Sequence, residues 1–395
     1  MLQKKLSITS KFCPASILLC ALLLAPAATP FCSASTVYVR PENDHAQCPG
    51  KICYPLSHYQ QNVSHYFVSD TTVVFMNGTH LLQASQQLVI QDIENFSMKG
   101  IGGFIPGLEN LYEPSSRIEC NGTKLSGLKF INVTRVRIEN LTIACCGHKV
   151  LHNNDIRAAL ALDTAHSVTF SRVTVRNSSG FGLHAEKVFG HVRLYESAFL
   201  YNTGNKEYYG GNARFWYEQC PEVHNTHLEI ESSYFLHGYD TTKSHHSFHA
   251  TATGLTLLIH CPLITVRINN IKAVRNEAEN GGNLAINFTD FTGNYHYNEK
   301  VPSVIINNSR IAGGAGHRGG GLRIWSYIAP NPKGKILCNQ THELHHILDI
   351  SNTQFLGNYA IEGGALYISY YGTKQSEGVT RQISLQSCTF NDGSC

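Results

Sequence analysis

A short apolar alternation ending on a small polar corner recurs eight times along the chain, and no other feature restricts the fold as much. VRIENLTI (136–143), VTFSRVTV (168–175), VRLYESAF (192–199), LEIESSYF (228–235), VRINNIKA (266–273), VIINNSRI (304–311), LDISNTQF (348–355) and ISLQSCTF (383–390) share the form. Period-two alternation over so few residues is a strand signal. The copies starting at Val192, Leu228, Val266, Val304, Leu348 and Ile383 are spaced by 36, 38, 38, 44 and 35 residues. Spacing of that kind marks a repeat architecture, in which each unit buries its apolar face only against its neighbours.

A second form lies between several of these: GGNARFWY (210–217), GLTLLI (254–259), GGNLAIN (281–287), GGGLRIW (319–325) and GGALYIS (363–369). The fold expected is all-β, a single-stranded right-handed parallel β-helix with an N-terminal cap, each period holding two coils. The paired glycines allow a corner with positive φ or a close approach between stacked turns. Asn202, Asn276 and Asn358 suit corners, because Asn tolerates the left-handed region and its amide can bond a neighbouring corner. Turns of an antiparallel sandwich or propeller are the competing reading.

Residues 1–35 read as a signal peptide, with Lys4, Lys5 and Lys11 ahead of the apolar run Ile17 to Pro26 and small residues from Cys32 to Ser35. Residues 36–70 are expected to cap the first coil and 71–395 to form the β-helix. Within the cap, Leu56, Tyr59, Val63 and Phe67 fall at helical spacing. At the far end the chain stops at FNDGSC with no cap after the last strand. Either Cys395 staples that end or the sequence is a segment of something longer.

The most apolar later stretch, Gly254 to Val266, is interrupted by His260 and Pro262, so no transmembrane helix is expected after the signal peptide. The whole chain has 31 Lys and Arg against 28 Asp and Glu. Three of the lysines belong to the leader, which leaves a balanced remainder and speaks against a nucleic-acid partner. Ten cysteines beyond the leader are an even number and fit disulfides; Cys48 with Cys53, and Cys388 with Cys395, are the pairs suggested by proximity. Adjacent Cys145 and Cys146 are expected to link to different neighbours or to leave one free. Ten sequons at Asn62, Asn77, Asn95, Asn121, Asn132, Asn140, Asn177, Asn287, Asn307 and Asn339 predict a secreted, extracellular glycoprotein.

Coils such as FLGNYAIEGGALYI (355–368) resemble those of right-handed β-helix extracellular proteins, and their GGA-apolar strand is similar to the repeats of bacterial polymorphic outer-membrane proteins. The segments VYVRPENDHAQCPGKICYPLSHYQQN (37–62) and VVFMNGTHLL (73–82) resemble large secreted β-helix proteins of sponges. The resemblance implies architecture and no particular chemistry.

For catalysis on a glycan, two carboxylates must flank a groove. The acids near strands are Glu139, Asp163, Glu186, Glu196, Glu229, Glu231, Asp290, Asp349 and Glu362, of which Glu139, Glu196 and Glu231 fall near the polar corner. The histidine tracts SHHSFH (244–249) and THELHH (341–346) lack metal-site spacing, so neither a metal nor another cofactor is expected. Tyr208, Tyr209, Trp216 and Tyr217 are the candidate binding aromatics for an extracellular glycan or protein partner, although alternate members of that run must face inward. The residues thus favour an extracellular binding or structural role, with adhesion, matrix or glycan recognition as examples, and not an enzyme. The alternative is a polysaccharide-degrading hydrolase or lyase with carboxylates on one face of the helix.

Overall fold

The computed structural model describes residues 35–42, 48, 53–83, 87–120, 127–146, 158–204, 210–217, 226–240, 252–260, 264–278, 281–290, 303–328, 347–371 and 382–391. Its architecture is a single-stranded right-handed parallel β-helix, in which every strand pairing but one is parallel. Val304, the start of one repeat, is the register partner of Val266 before it and Leu348 after it. Equivalent positions therefore lie over one another. Val192, Leu228, Val266, Val304 and Leu348 form one inward column, each at most 2% exposed, and Leu194, Ile230, Ile268, Ile306 and Ile350 form a second. Each such side chain contributes about 1.5–3 kcal/mol on burial.

One expectation is corrected by the pairing. A glycine-led strand pairs with the next glycine-led strand, as Gly211–Tyr217 does with Leu255–Ile259, and a strand of the first form pairs with its own kind, as Thr226–Glu231 does with Ile264–Asn269. One period is therefore one coil with three faces, not two coils. The first face carries the glycine-led strands and the second face the Val192-type strands. The third carries three-residue strands such as Ala198–Leu200, Tyr234–Leu236, Lys272–Val274 and Arg310–Ala312. In Ala158–Ser171 and Phe181–Tyr195 the first two faces are spanned by one bent strand.

The glycines serve close approach more than torsion. A Cβ on Gly282 would sit 2.2 Å from the Gly320 carbonyl of the next coil, whereas at Gly211 a φ of +143° adds a torsional need. The asparagines differ from expectation in one respect. The left-handed residue at each corner is the one before the Asn: Tyr201 (φ +54°), Arg275 (+53°) and Gly357 (+55°). Asn202, Asn276 and Asn358 instead turn their amides inward, where they are at most 1% exposed. Asn276 donates to the Phe235 carbonyl (2.7 Å) and to Asn283 Oδ1 (2.8 Å), and accepts from Gly238 N–H (2.8 Å) and Asn212 Nδ2 (2.9 Å). The ladder satisfies backbone groups that the corner strips from the sheets.

At the N-terminal end the expected helix is split at Gln61 and Asn62 into Leu56–Gln60 and Val63–Tyr66. Leu56, Tyr59 and Phe67 are buried, and the Phe67 ring packs at a tilt on that of Phe96, centroids 5.8 Å apart. At the other end the inward residues Ile383, Leu385 and Phe390 of the last described coil are 39–46% exposed.

Replacing Asn276 by Ala removes the amide that bonds the Gly238 N–H, the Phe235 carbonyl, Asn212 Nδ2 and Asn283 Oδ1. Chemical denaturation should show a loss of about 3 kcal/mol or more. A loss under about 1 kcal/mol would mean that the amide ladder is dispensable.

Candidate functional site

Side chains alternate along each strand, so the residues between the core positions of the first face point outward. On Phe181–Tyr195 these are His184 and Glu186; on Ala158–Ser171 the register partner of Glu186 is Asp163; on Gly211–Tyr217 the partners of His184 and Glu186 are Arg214 and Trp216. Adjacent rungs lie about 4.8 Å apart. Three consecutive coils thus place two carboxylates, an imidazole and a guanidinium on one outward patch.

His184 is 3% exposed, and neither ring nitrogen has a hydrogen bond within 3.5 Å. Its Nε2 lies 3.7 Å from Glu186 Oε2, and Lys187 Nζ lies 3.2 Å from Glu186 Oε1. Burial pushes the imidazole below its usual range; the Arg214 charge acts in the same direction, while Glu186 and Asp163 oppose it. Glu186 is drawn from 4.5 to about 2, chiefly by His184 beside it and then by Lys187, against the effect of burial. The pair at neutral pH is a neutral imidazole beside an ionised carboxylate. The Arg214 guanidinium is 5.5 Å from the Phe181 ring centre and 5.1 Å from that of Trp216, which fixes it in the patch by cation–π contact. Asp163 is half-buried and accepts a hydrogen bond from Thr164 Oγ1 at 3.2 Å. Glu186 keeps 20% of its side-chain surface exposed, so the patch is open on the carboxylate side.

Of the expected aromatics, Trp216 belongs to this face. Tyr217 does not: it is 1% exposed and inward, as alternation requires, so its assignment to binding is withdrawn. Tyr208 and Tyr209 lie outside the described residues, as do both histidine tracts. Among the corner acids, Glu139 and Glu231 sit on the second face three rungs apart, about 14 Å, too far for one sugar. Glu139 is 3.5 Å from Arg137 and Glu231 is 3.9 Å from Arg193, both surface ion pairs. Glu196 is a left-handed corner between the second and third faces. The patch thus lies apart from the corner acids singled out in the sequence, and His184 and Arg214, which were not among the candidates, share it through their outward position in the glycine-led strands.

Cys48 is bonded to Cys53 as expected, and Cys146 is bonded to Cys120 while Cys145 is free. Cys388 is a free thiol, and its candidate partner Cys395 lies outside the described residues. The sequons Asn62, Asn77, Asn95, Asn132 and Asn177 are exposed, and Asn140 and Asn307 are half-buried. Asn121 and Asn339 lie outside the described residues. Asn287 is 0% exposed between Leu258 and Trp325 on the first face, so a glycan has no place there in the folded chain.

No protein-family model matches the chain, and no curated protein matches it. Among solved structures it is similar to pectate lyase Pel9A, at 11% identity and a TM-score of 0.47, over 86% of this chain and 79% of that one. It is also similar to the pectin methylesterase PemA from Erwinia chrysanthemi, at 11% identity and TM-score 0.35 over 76% and 90% of the two chains. A mannuronan C-5 epimerase A-module from Azotobacter vinelandii gives 10% identity and TM-score 0.32 over 82% and 89%. At these identities the likeness is one of fold. The expectations of a role without chemistry, and of a chain that is not an enzyme, are nevertheless corrected. This chain carries a cluster of titratable side chains, Asp163, His184, Glu186 and Arg214, on one face, which a role without chemistry does not account for. Among the described residues no helix is long and apolar enough to cross a membrane.

Because His184 has a lower pKa folded than unfolded, stability is full above about pH 6.5 and declines as pH falls from there toward the folded pKa. Glu186 adds a second loss between about 4.5 and 2. Thermal midpoints across this range should fall in the first window for the wild type and less so for His184→Gln. Glu186→Gln should flatten only the lower window. Separately, glycopeptide mapping of secreted protein should find glycan at exposed sequons such as Asn62 and Asn177 and none at Asn287.

Proposed function

We propose that the chain is a secreted glycan-modifying enzyme whose reaction runs on the outward patch formed by Asp163, His184, Glu186 and Arg214. The observation that carries this reading is the buried His184 imidazole with its Nε2 3.7 Å from the Glu186 carboxylate; burial favours the neutral ring beside an ionised carboxylate. A histidine kept as free base, with Glu186 next to one ring nitrogen to orient it, is a general base. Glu186, drawn to about 2, stays ionised and cannot be the general acid that hydrolysis of a glycosidic bond requires. Proton abstraction from a sugar carbon is therefore favoured over hydrolysis. Such a carbon is acidic only next to an electron-withdrawing group, so the substrate class is a uronate-bearing polysaccharide. Arg214 supplies the charge that stabilises the carbanion formed on the sugar, whose electron pair then forms a carbon–carbon double bond as the β glycosidic C–O bond breaks and the departing oxygen takes up a proton from water. The solved structures named above support a polysaccharide substrate through their shared architecture. The charged leader, the sequons and the likeness to secreted sponge proteins support an extracellular setting.

The test is the purified secreted chain against a panel of uronate-bearing and neutral polysaccharides, followed by ultraviolet absorbance for unsaturated ends and by reducing-end assay. Activity should appear on uronate polymers only. His184→Gln should lower it about 100-fold or more at unchanged secondary structure. Absence of turnover on every polymer, or full activity in His184→Gln, would remove this reading.

A further inference from the structure

A second cleft lies on the third face, away from His184. Between the strands Glu94–Gly100 and Ser116–Glu119 the chain throws out an arm, an antiparallel hairpin of Phe104–Pro106 and Tyr112–Pro114. The arm lies against the third face. Leu108 and Leu111 pack on Ala198, Leu200 and Leu236, and Glu113, 1% exposed, pairs with Arg176 at 2.9 Å. At the tip Glu109 accepts from the Tyr201 hydroxyl and meets His237 Nε2 at 3.1 Å. The side of the arm facing the later coils bounds a cleft of about 290 Å³, with Leu111, Leu236 and Val274 as its apolar floor and Tyr234, Lys272, Arg275 and Arg310 around it.

The charges of this cleft are not balanced internally. Lys272 and Arg310 are register partners on adjacent rungs of one face, so two exposed like charges are stacked where an unlike pair would be stabilising. Arg275 adds a third at the left-handed corner of the same coil. Among the described residues Glu109 is the one acid that lines the cleft, against Lys272, Arg275 and Arg310. None of the three cations makes an ion pair within 4.0 Å among the described residues. Lys272 Nζ lies 5.3 Å from the Tyr234 ring centre. An apolar floor with a tyrosine ring and cations on its rim is complementary to a pyranose ring that carries an anionic substituent.

We propose that this cleft is a second binding site, which captures an acidic polysaccharide through its carboxylate or sulfate groups at Lys272, Arg275 and Arg310 and holds the polymer on the enzyme apart from the His184 patch. That the ligand is a glycan rests on the proposed function; the anion site does not. Two tight demands are met at once, since the site relieves the repulsion of Lys272 and Arg310 and uses a pocket of monosaccharide size.

The experiment is calorimetric titration of the full secreted chain with hexasaccharides of galacturonate, of a sulfated glycosaminoglycan and of neutral maltose units, beside a glutamate hexapeptide. Wild type and His184→Gln should bind one or both acidic sugars alike, more weakly as salt is added, and ignore the neutral one. Lys272→Glu with Arg310→Glu should lower that affinity at least about tenfold without lowering the thermal midpoint. Lys272→Gln with Arg310→Gln is the milder pair, with a smaller loss in the same direction. Equal binding of the neutral and acidic hexasaccharides, no binding of either acidic sugar, or unchanged affinity in both double variants overturns the proposal; binding of the peptide as tight as that of the sugars overturns its assignment to a glycan. Acidic-sugar binding lost in the double variants in a chain without turnover would sink the enzymatic reading and leave this site standing. Turnover with no contribution of Lys272 and Arg310 to affinity would do the reverse.

Discussion

Parallel pairing of each coil with the next is the interaction on which the rest depends. Its hydrogen bonds hold equivalent residues about 4.8 Å apart, so a property repeated in sequence becomes a continuous column in space. Inward, the column is apolar, as with Val192, Leu228, Val266, Val304 and Leu348. At the corners it is an amide ladder, and in both cases one residue type is stabilised by its copies on either side. Outward, the same geometry brings different residues together, and there the chain departs from its own repeat.

Those departures are where chemistry collects. Asp163, His184 and Arg214 occupy related outward positions on three coils, and no two are alike. A uniform solenoid would gain nothing by burying a histidine without hydrogen bonds or by stacking a guanidinium between Phe181 and Trp216. Buried polar groups that are incompletely satisfied cost stability, and such costs are concentrated at sites that act. The third face shows a parallel case at its surface, where Lys272 and Arg310 repeat a charge that pairing alone disfavours.

Much of the fold was legible because the core is one-dimensional. The alternation of VIINNSRI and its copies names the inward residues, and the spacing names their stacking. The number of coils per period was misjudged, since spacing gives the repeat but does not say whether GGALYI pairs with its own kind or with LDIS. The sequence locates Asn276 at its corner but not the left-handed residue, which is Arg275, because the Asn that tolerates a left-handed φ and the Asn that bonds inward look alike in sequence. Alternation warned that part of the aromatic run must be buried, and Tyr217 is that part.

The sequence by itself determined the solenoid, the length of its period and the identity of its core, because these follow from local periodicity repeated at a fixed interval; that one period is one three-sided coil came from the strand pairing. Only the tertiary structure decided which outward residues meet. The contacts between Asp163 and Glu186, His184 and Arg214, or Leu111 and Leu236 join residues of different coils or of an inserted arm. Their separation along the chain is set by loop lengths that no periodicity encodes. The protonation states of His184 and Glu186 follow in turn from burial and neighbouring charge, which exist only once the coils are stacked.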